Sequence, residues 1–108
     1  MDTLSRLEQV IAERRTASPE SSYVAKLNAK GIEKIAQKLG EEATEAVIAA
    51  LSGTSEELVG EAADVLFHLL VLLQAKEIPL ADVLDELDRR EGTSGLDEKA
   101  ARKTSGSD

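Results

Sequence analysis

Apolar side chains recur every three to four residues along most of this chain, and no segment shows the strict alternation typical of a β-strand. The pattern predicts a first helix of about a dozen residues that begins near Leu4 and ends near Thr16. A long second helix is predicted over residues 23–51, with Ser22 as its N-cap and with Gly31 able to bend or break it. The chain is therefore predicted to be all-α.

Two further helices complete the predicted bundle. The third covers residues 55–76, after a turn in which Gly53 takes the left-handed conformation and Thr54 or Ser55 caps the helix. Its second half, residues 65–73, is apolar on every side apart from His68, and such a helix must be buried all round. Pro79 begins the fourth helix. We expect a four-helix, up-and-down-type bundle subunit that packs as a helical homodimer, because three short companions can hardly cover residues 65–73.

The composition changes after residue 91. We expect residues 1–91 to form one helical domain, and residues 92–108, which are rich in Gly, Ser and charge without periodicity, to form a flexible C-terminal tail. The N-terminus lacks the basic and then apolar segments of a signal peptide. The longest apolar run is far shorter than the roughly 18 residues of a membrane span. We therefore expect a cytoplasmic protein with no membrane partner.

The composition also excludes several kinds of site. The chain has no Cys, which excludes disulfides, thiolate metal sites and a cysteine nucleophile. A single His excludes a multi-histidine metal site within one chain. The formal net charge of −8, with one Tyr, one Phe and no Trp, argues against a nucleic-acid partner, since such proteins need a basic surface and rings for stacking.

Carboxylates occur on helix faces that the apolar pattern turns toward the core. The four residues are Glu42 and Glu45 in the second predicted helix and Glu61 and Asp64 in the third. Burial without compensation costs several kcal/mol per ion, so these groups must protonate, pair with bases or hold a metal. Lys38 is placed to pair with Glu42, but only His68 lies near the acids of the third helix. All-oxygen ligands favour Mg²⁺, Mn²⁺ or Ca²⁺; the alternative is a solvated acidic face at the bundle rim.

A basic stripe precedes these acids along the second predicted helix. It consists of Lys26, Lys30, Lys34 and Lys38, which recur at every fourth residue. Like charges at this spacing repel by a few tenths of a kcal/mol, and phosphate groups opposite the stripe would remove that cost. The alternative is a solubilising surface. Tyr23 is suited either to stacking on a base or to beginning the helix, and His68 is more typical of a core or interface residue than of a base.

Together the two features are what a nucleotide pyrophosphatase requires, because a metal binds phosphate oxygens and lysines neutralise the leaving pyrophosphate. The pattern Glu41-Glu42-x-x-Glu45, followed by Glu61-x-x-Asp64, resembles the acidic signature of the MazG-like all-α nucleotide pyrophosphatases. Residues 22–42 and 61–73 are similar, more narrowly, to the phosphoribosyl-ATP pyrophosphatases of histidine biosynthesis. The similarity covers about residues 4–90.

This resemblance implies a Mg²⁺-dependent hydrolase, in which Mn²⁺ can substitute, that converts phosphoribosyl-ATP to phosphoribosyl-AMP and pyrophosphate in the second step of histidine biosynthesis. The implied catalytic residues are Glu41, Glu42, Glu45, Glu61 and Asp64. The last four of these would bind the metal, and Glu41 would be a further ligand or orient the attacking water. The expected substrate contacts are Lys26, Lys30, Lys34, Lys38 and Tyr23.

The resemblance also implies a homodimer, and a separate phosphoribosyl-AMP cyclohydrolase would take the product. Two other functions stay open at this point. One is a MazG-like house-cleaning pyrophosphatase acting on common or damaged (deoxy)nucleoside triphosphates, which a substrate panel would separate from the first. The other is a non-enzymatic helical dimerisation module, in which the acids would have no catalytic role.

Overall fold

A computed structural model describes residues 2–91, and every regular element in that range is a helix. The helices in chain order are α1 (Thr3–Arg14), α2 (Tyr23–Lys30), α3 (Ile32–Ser52), α4 (Ser55–Ala75) and α5 (Leu80–Arg90). The all-α prediction is confirmed. The chain divides into two compact units, Met1–Ile78 and Pro79–Asp108, so that α1 to α4 belong to the first and α5 to the second. The predicted tail at residues 92–108 lies outside the described residues.

The long second helix of the prediction is two helices, which gives five in the described range instead of four. Gly31 separates them with φ 97° and ψ 171°. Its N–H donates to the carbonyls of Leu27 and Asn28 and ends α2, while its own carbonyl accepts from the N–H of Ile35 and begins α3. The positive φ favours glycine because a Cβ would clash in this conformation. The break also divides the predicted lysine stripe: Lys26 and Lys30 belong to α2, and Lys34 and Lys38 to α3.

Side-chain caps begin α2 and α4. The Ser22 Oγ accepts a hydrogen bond from the N–H of Ala25 at 3.1 Å, which confirms the predicted N-cap. Thr54 forms a capping box with Glu57: the Thr54 Oγ1 accepts from the Glu57 N–H at 3.1 Å, and the Glu57 Oε1 accepts from the Thr54 N–H at 3.0 Å. Both helices therefore begin at residues that supply the missing acceptors for their first N–H groups.

The prediction for Gly53 is wrong. This residue is extended, with φ −105° and ψ −170°, and does not take the left-handed conformation. A Cβ at Gly53 would lie 3.0 Å from the Ala49 carbonyl oxygen and 3.4 Å from the Glu57 carboxylate. Glycine fits here because α3 ends close to the capping box of α4, and a Cβ would crowd the main chain of Ala49.

The α3–α4 helical hairpin forms the most extensive helix contact of the first unit, while α1 packs against α4 and α2 against α3. The most deeply buried side chains of the first unit are Ile11 of α1, Ile35 of α3 and Val71 of α4, each at most 1% exposed. They lie at the end of the hairpin that includes the start of α3 and the second half of α4. The first half of α4 and the second half of α3, which bear the predicted acids, project beyond this core.

Large apolar residues remain exposed on this projecting part of the hairpin. Exposure reaches 58% at Val47, 56% at Ile48, 82% at Leu51 and 70% at Val59. By contrast, Leu70 and Val71 of the apolar segment 65–73 are buried within the chain itself. By length and composition, α4 is also able to cross a membrane, which the sequence analysis did not expect. Core helices of soluble proteins have the same length and composition. Only 17% of the most apolar stretch of α4 is buried.

Candidate active site

Three carboxylates from α3 and α4 converge on the projecting part of the hairpin. Glu42 and Glu45 are three residues apart and share a face of α3, and Glu61 approaches them from α4. One oxygen of each of these three side chains lies within 4.8 Å of the other two. Oxygens that share one Mg²⁺ lie at most about 4.2 Å apart, twice the metal–oxygen distance. A small inward movement of these side chains, hereafter the acid cluster, would therefore allow all three to bind one cation.

Glu61 is the least compensated member of the acid cluster. Its Oε2 atom is buried and has no hydrogen-bond partner. The pKa of Glu61 is raised to about 7, first by a hydrogen bond with the Glu45 carboxylate and then by burial and by the nearby negative charges of Glu45, Glu42 and Asp64. A proton or a cation is thus required to hold these carboxylates together. The orphaned oxygen and the all-carboxylate donor set fit a hard divalent cation.

Lys38 compensates the acids on one side only. Its Nζ atom lies 3.4 Å from Oε1 of Glu41 and 3.8 Å from Oε1 of Glu42. The Gln37 side-chain amide also donates to Glu41 at 2.8 Å, and the pKa of Glu41 is lowered by Gln37 and then by Lys38. Within residues 2–91, Lys and Arg side chains form no ion pair with Glu45 or Glu61. Lys38 therefore compensates the negative charge of Glu41 and part of that of Glu42. The charges of Glu45 and Glu61 are not compensated by a lysine or an arginine of the described residues.

The remaining predicted site residues lie around the acid cluster or away from it. Asp64 is outside the group of three, although it is close enough for its charge to raise the pKa of Glu61. Glu41 also lies outside the group, paired as described. Of the four predicted lysines only Lys38 forms ion pairs with these acids; Lys34 affects Glu41 through its charge, and Lys26 and Lys30 are exposed in α2.

Tyr23 and His68 form a hydrogen-bonded pair that the sequence analysis did not connect. The Tyr23 hydroxyl lies 2.9 Å from His68 Nε2, and His68 Nδ1 lies 2.7 Å from the main-chain oxygen of Asp64. His68 is only 5% exposed, which agrees with the prediction of a satisfied core residue. The pair brings the Tyr23 hydroxyl close to the acids, since the charges of Glu42, Asp64 and Lys38 all affect its pKa. The one feature of the sequence that pointed to this pair was a lone histidine in an apolar segment.

A cavity of about 420 Å³ lies between α3 and α4 beside the acid cluster. Its lining includes the carboxylates of Glu45, Glu61 and Asp64 and the apolar side chains of Ile48 and Ala49. This volume falls within the range of small-molecule sites, which are mostly apolar with a few polar groups at one side. The carboxylates of Glu45, Glu61 and Asp64 therefore border a space large enough for a small ligand.

The sequence profile of a family described as phosphoribosyl-ATP pyrophosphohydrolase matches residues 4–91, a range that includes the acid cluster, Lys38, Tyr23 and His68. The chain belongs to this family. The resemblance noted from the sequence is thus confirmed, and the match begins and ends close to the limits expected for the helical domain. Members of this family are nucleotide pyrophosphohydrolases, for which a cluster of carboxylates able to hold a metal is a fitting centre.

Relatives named phosphoribosyl-ATP pyrophosphatase match this family member over nearly its whole length. The protein from Erythrobacter litoralis is 71% identical over 102 residues, which cover 94% of this chain and 98% of the relative. The protein from Novosphingobium aromaticivorans is 68% identical, covering 94% of each chain. The protein from Dinoroseobacter shibae is 59% identical, covering 94% of this chain and 100% of the relative.

Proposed function

We propose that this chain is a Mg²⁺-dependent phosphoribosyl-ATP pyrophosphatase, which hydrolyses phosphoribosyl-ATP to phosphoribosyl-AMP and pyrophosphate in histidine biosynthesis. The family match over residues 4–91, and relatives of that name at 55% to 71% identity, support the activity. We infer where the reaction takes place from the convergence of Glu42, Glu45 and Glu61, which have an unpartnered carboxylate oxygen among them.

The acid cluster would hold the Mg²⁺ ion. Glu42, Glu45 and Glu61 supply the hard oxygen ligands that Mg²⁺ prefers, and Mn²⁺ would substitute because it accepts the same ligand type. Asp64, one turn after Glu61 in α4, is the proposed fourth ligand. A bound dication supplies neutralisation of phosphate oxygens and lowers the pKa of a coordinated water.

The side chains beside the acid cluster would orient and stabilise the reactants. Water adds to the α-phosphorus, the bond from that phosphorus to the oxygen shared with the β-phosphorus breaks, pyrophosphate leaves with that oxygen, and the proton lost by the water passes to the solvent. Glu41 is suited to accept a hydrogen bond from the attacking water, because a glutamate carboxylate is ionised at neutral pH and Glu41 lies beside Lys38. Lys38 places a positive charge where negative charge develops on the leaving pyrophosphate. Lys26, Lys30, Lys34 and Tyr23 stay as predicted substrate contacts.

A substrate panel with detection of released pyrophosphate tests this proposal. We expect turnover of phosphoribosyl-ATP that requires Mg²⁺ and stops when EDTA removes it. Glu61→Gln should lower turnover by orders of magnitude while the far-ultraviolet circular dichroism stays helical; Glu33→Gln, an equal charge change in the first turn of α3, is the matched control. A preference for deoxynucleoside triphosphates would instead support the house-cleaning function, and full activity of Glu61→Gln would remove Glu61 from the metal site.

We further propose that the chain works as a homodimer in the cytoplasm. The exposed apolar residues of the projecting hairpin, Val47, Ile48, Leu51 and Val59, support a second copy as their cover, because burying large apolar side chains stabilises association. Residues 1–91 would carry the activity and residues 92–108 would form a tail. The product would pass to a separate phosphoribosyl-AMP cyclohydrolase.

A further inference from the structure

The only Phe, the only Tyr and the only His of the chain come together in one place. The ring of Tyr23, at the start of α2, stacks on that of Phe67 in α4, with centroids 6.1 Å apart and planes inclined by 26°. His68 makes edge-to-face contacts with both rings, at centroid distances of 5.7 Å from Tyr23 and 5.2 Å from Phe67. His68 is 5% exposed and Phe67 is half-buried, whereas Tyr23 is 46% exposed. Two less accessible rings therefore support one ring that keeps much of its surface open.

Hydrogen bonds fix the hydroxyl end of Tyr23. A main-chain carbonyl only accepts, so the contact of His68 Nδ1 with the Asp64 oxygen at 2.7 Å requires the proton on Nδ1. In the neutral ring Nε2 is then an acceptor, and the Tyr23 hydroxyl at 2.9 Å donates to it. The polar end of the side chain is thus engaged by the protein, and the surface that Tyr23 offers a ligand is mainly its ring.

The same hydrogen bonds connect this ring to the cavity beside the acid cluster. Asp64, whose main-chain oxygen accepts from His68, lines that cavity as Glu61 does. His68 follows Glu61 by seven residues in α4, so the two share a face of the helix and lie about 10 Å apart along its axis. That spacing is comparable to the length of a nucleoside monophosphate. A nucleotide with its phosphate groups at the acid cluster can therefore place its base at Tyr23.

Aromatic rings are scarce in this chain, which narrows where a base can stack. The sequence has no Trp, and the residues that line the cavity supply no ring. Tyr23 is more exposed than Phe67, so Tyr23 is the ring with open surface. A base gains from stacking on a tyrosine, and a side chain that is already held loses less conformational freedom on binding than a mobile one. The contacts with Phe67 and His68 thus favour stacking on Tyr23.

We propose that Tyr23 is a stacking surface for the purine ring of the nucleotide, and that Phe67 and His68 are positioning residues that hold it. The sequence left open whether Tyr23 stacks on a base or only begins the helix, and the contacts among the three rings favour stacking. This inference deepens the proposed function and rests on it for the identity of the nucleotide, whereas the stacking itself is measurable without hydrolysis.

Binding of AMP in the presence of Mg²⁺ tests the stacking without turnover. AMP carries a purine but has no pyrophosphate to release, and ribose 5-phosphate is the matching ligand without a base. Because the chain has one Tyr, nuclear Overhauser effects between purine protons and tyrosine ring protons report Tyr23 alone. We expect these effects with AMP, together with upfield shifts of the purine H2 and H8 signals. Their absence at saturating AMP, or AMP binding no tighter than that of ribose 5-phosphate, would overturn the proposal.

Substitutions at Tyr23 separate the ring from its hydroxyl. By isothermal titration, Tyr23→Ala should weaken AMP binding at least about fivefold, the effect of losing one stacked base, and should weaken ribose 5-phosphate binding far less. Tyr23→Phe keeps the ring and should recover most of the affinity. Val10→Ala, at an apolar residue of α1 that is 38% exposed, is the matched control and should bind AMP as the wild type does. Equal AMP affinity in wild type and Tyr23→Ala would refute the stacking.

The positioning roles of Phe67 and His68 are tested through Tyr23. Phe67→Leu and His68→Leu should each weaken AMP binding about threefold. Neither should weaken it further in a Tyr23→Ala background, because residues that act through one another are not additive. His68→Gln, which keeps an acceptor for the Tyr23 hydroxyl, should recover part of the loss. A lower melting temperature with unchanged AMP affinity, or a loss of affinity that persists without the Tyr23 ring, would refute the positioning; Tyr23→Ala remains the test of stacking if these variants fail to fold.

Steady-state kinetics distinguish this inference from the proposed function. During hydrolysis of phosphoribosyl-ATP, Tyr23→Ala should raise KM at least about fivefold with a smaller change in kcat, because the base lies away from the phosphorus that reacts. Hydrolysis with the same KM in wild type and Tyr23→Ala would refute the stacking and leave the proposed function standing. A wild type that contacts the purine of AMP through Tyr23 but hydrolyses no phosphoribosyl-ATP would refute the proposed function and support the stacking.

Discussion

Metal binding by the acid cluster should depend on pH, because a proton and a cation compete for the same carboxylates. The pKa of Glu61 is about 7, and metal ligands must be deprotonated to bind. From that pKa, about nine-tenths of the molecules hold the proton at pH 6 and about one-tenth at pH 8. The apparent affinity for Mg²⁺ or Mn²⁺ should therefore rise about tenfold between these two pH values, with about 0.9 proton released per ion at pH 6 and about 0.1 at pH 8.

Isothermal titration of Mn²⁺ in two buffers of different ionisation enthalpy measures both quantities. Glu61→Gln, which keeps the shape of the side chain and cannot ionise, should bind the ion more weakly at pH 8, and both its affinity and its proton release should lose this pH dependence. Glu33→Gln should behave as the wild type does. A wild-type affinity that is the same at pH 6 and pH 8, with no proton release at pH 6, would refute the idea that the ion replaces the shared proton.

The same pKa makes the metal-free protein less stable as the pH rises. The pKa of Glu61 in the folded chain, about 7, exceeds the 4.5 of an ordinary glutamate, so between these values the folded state binds more protons than the unfolded state. The contribution of Glu61 to the free energy of unfolding is therefore greatest below about pH 4.5, and it is lost as the pH rises through 7. In EDTA, the difference in melting temperature between wild type and Glu61→Gln should change across this interval, and excess Mg²⁺ at pH 8 should raise the wild-type value.

Substitutions at three further residues address other parts of the protein. Ser22→Ala removes the acceptor for the N–H of Ala25 and should lower the free energy of unfolding in urea by about 1 kcal/mol; an unchanged midpoint would mean that the cap is not needed. Lys38→Met should raise KM by about tenfold. Lys38→Arg should raise KM by much less, because arginine keeps the positive charge. Equal KM values for wild type and Lys38→Met would exclude a phosphate contact. Leu51→Glu, at a residue that is 82% exposed, should yield monomers by light scattering, and a persistent dimer would place the interface elsewhere.

Much of the local structure follows from the sequence, because the interactions that begin a helix and define its faces join residues at most four positions apart. The spacing of apolar residues predicts the helices, and the hydroxyl groups of Ser22 and Thr54 predict two of their first turns. The spacing of Glu42 and Glu45 likewise places both on one face of α3 without reference to the rest of the chain. The sequence left open whether Gly31 bends or interrupts the helix, and in the structure its φ of 97° separates α2 from α3.

What the sequence determined by itself is therefore the helical class, the N-cap at Ser22, the two acid pairs and the family that they resemble. Only the tertiary structure decided that Glu61 meets the acids of α3 while Asp64 lies beside them, that Lys38 alone of the four lysines joins them, and that Tyr23 reaches His68. The physical reason is that periodicity defines which residues share a helix face, whereas the rotation and approach of two helices depend on how side chains distant in sequence pack together.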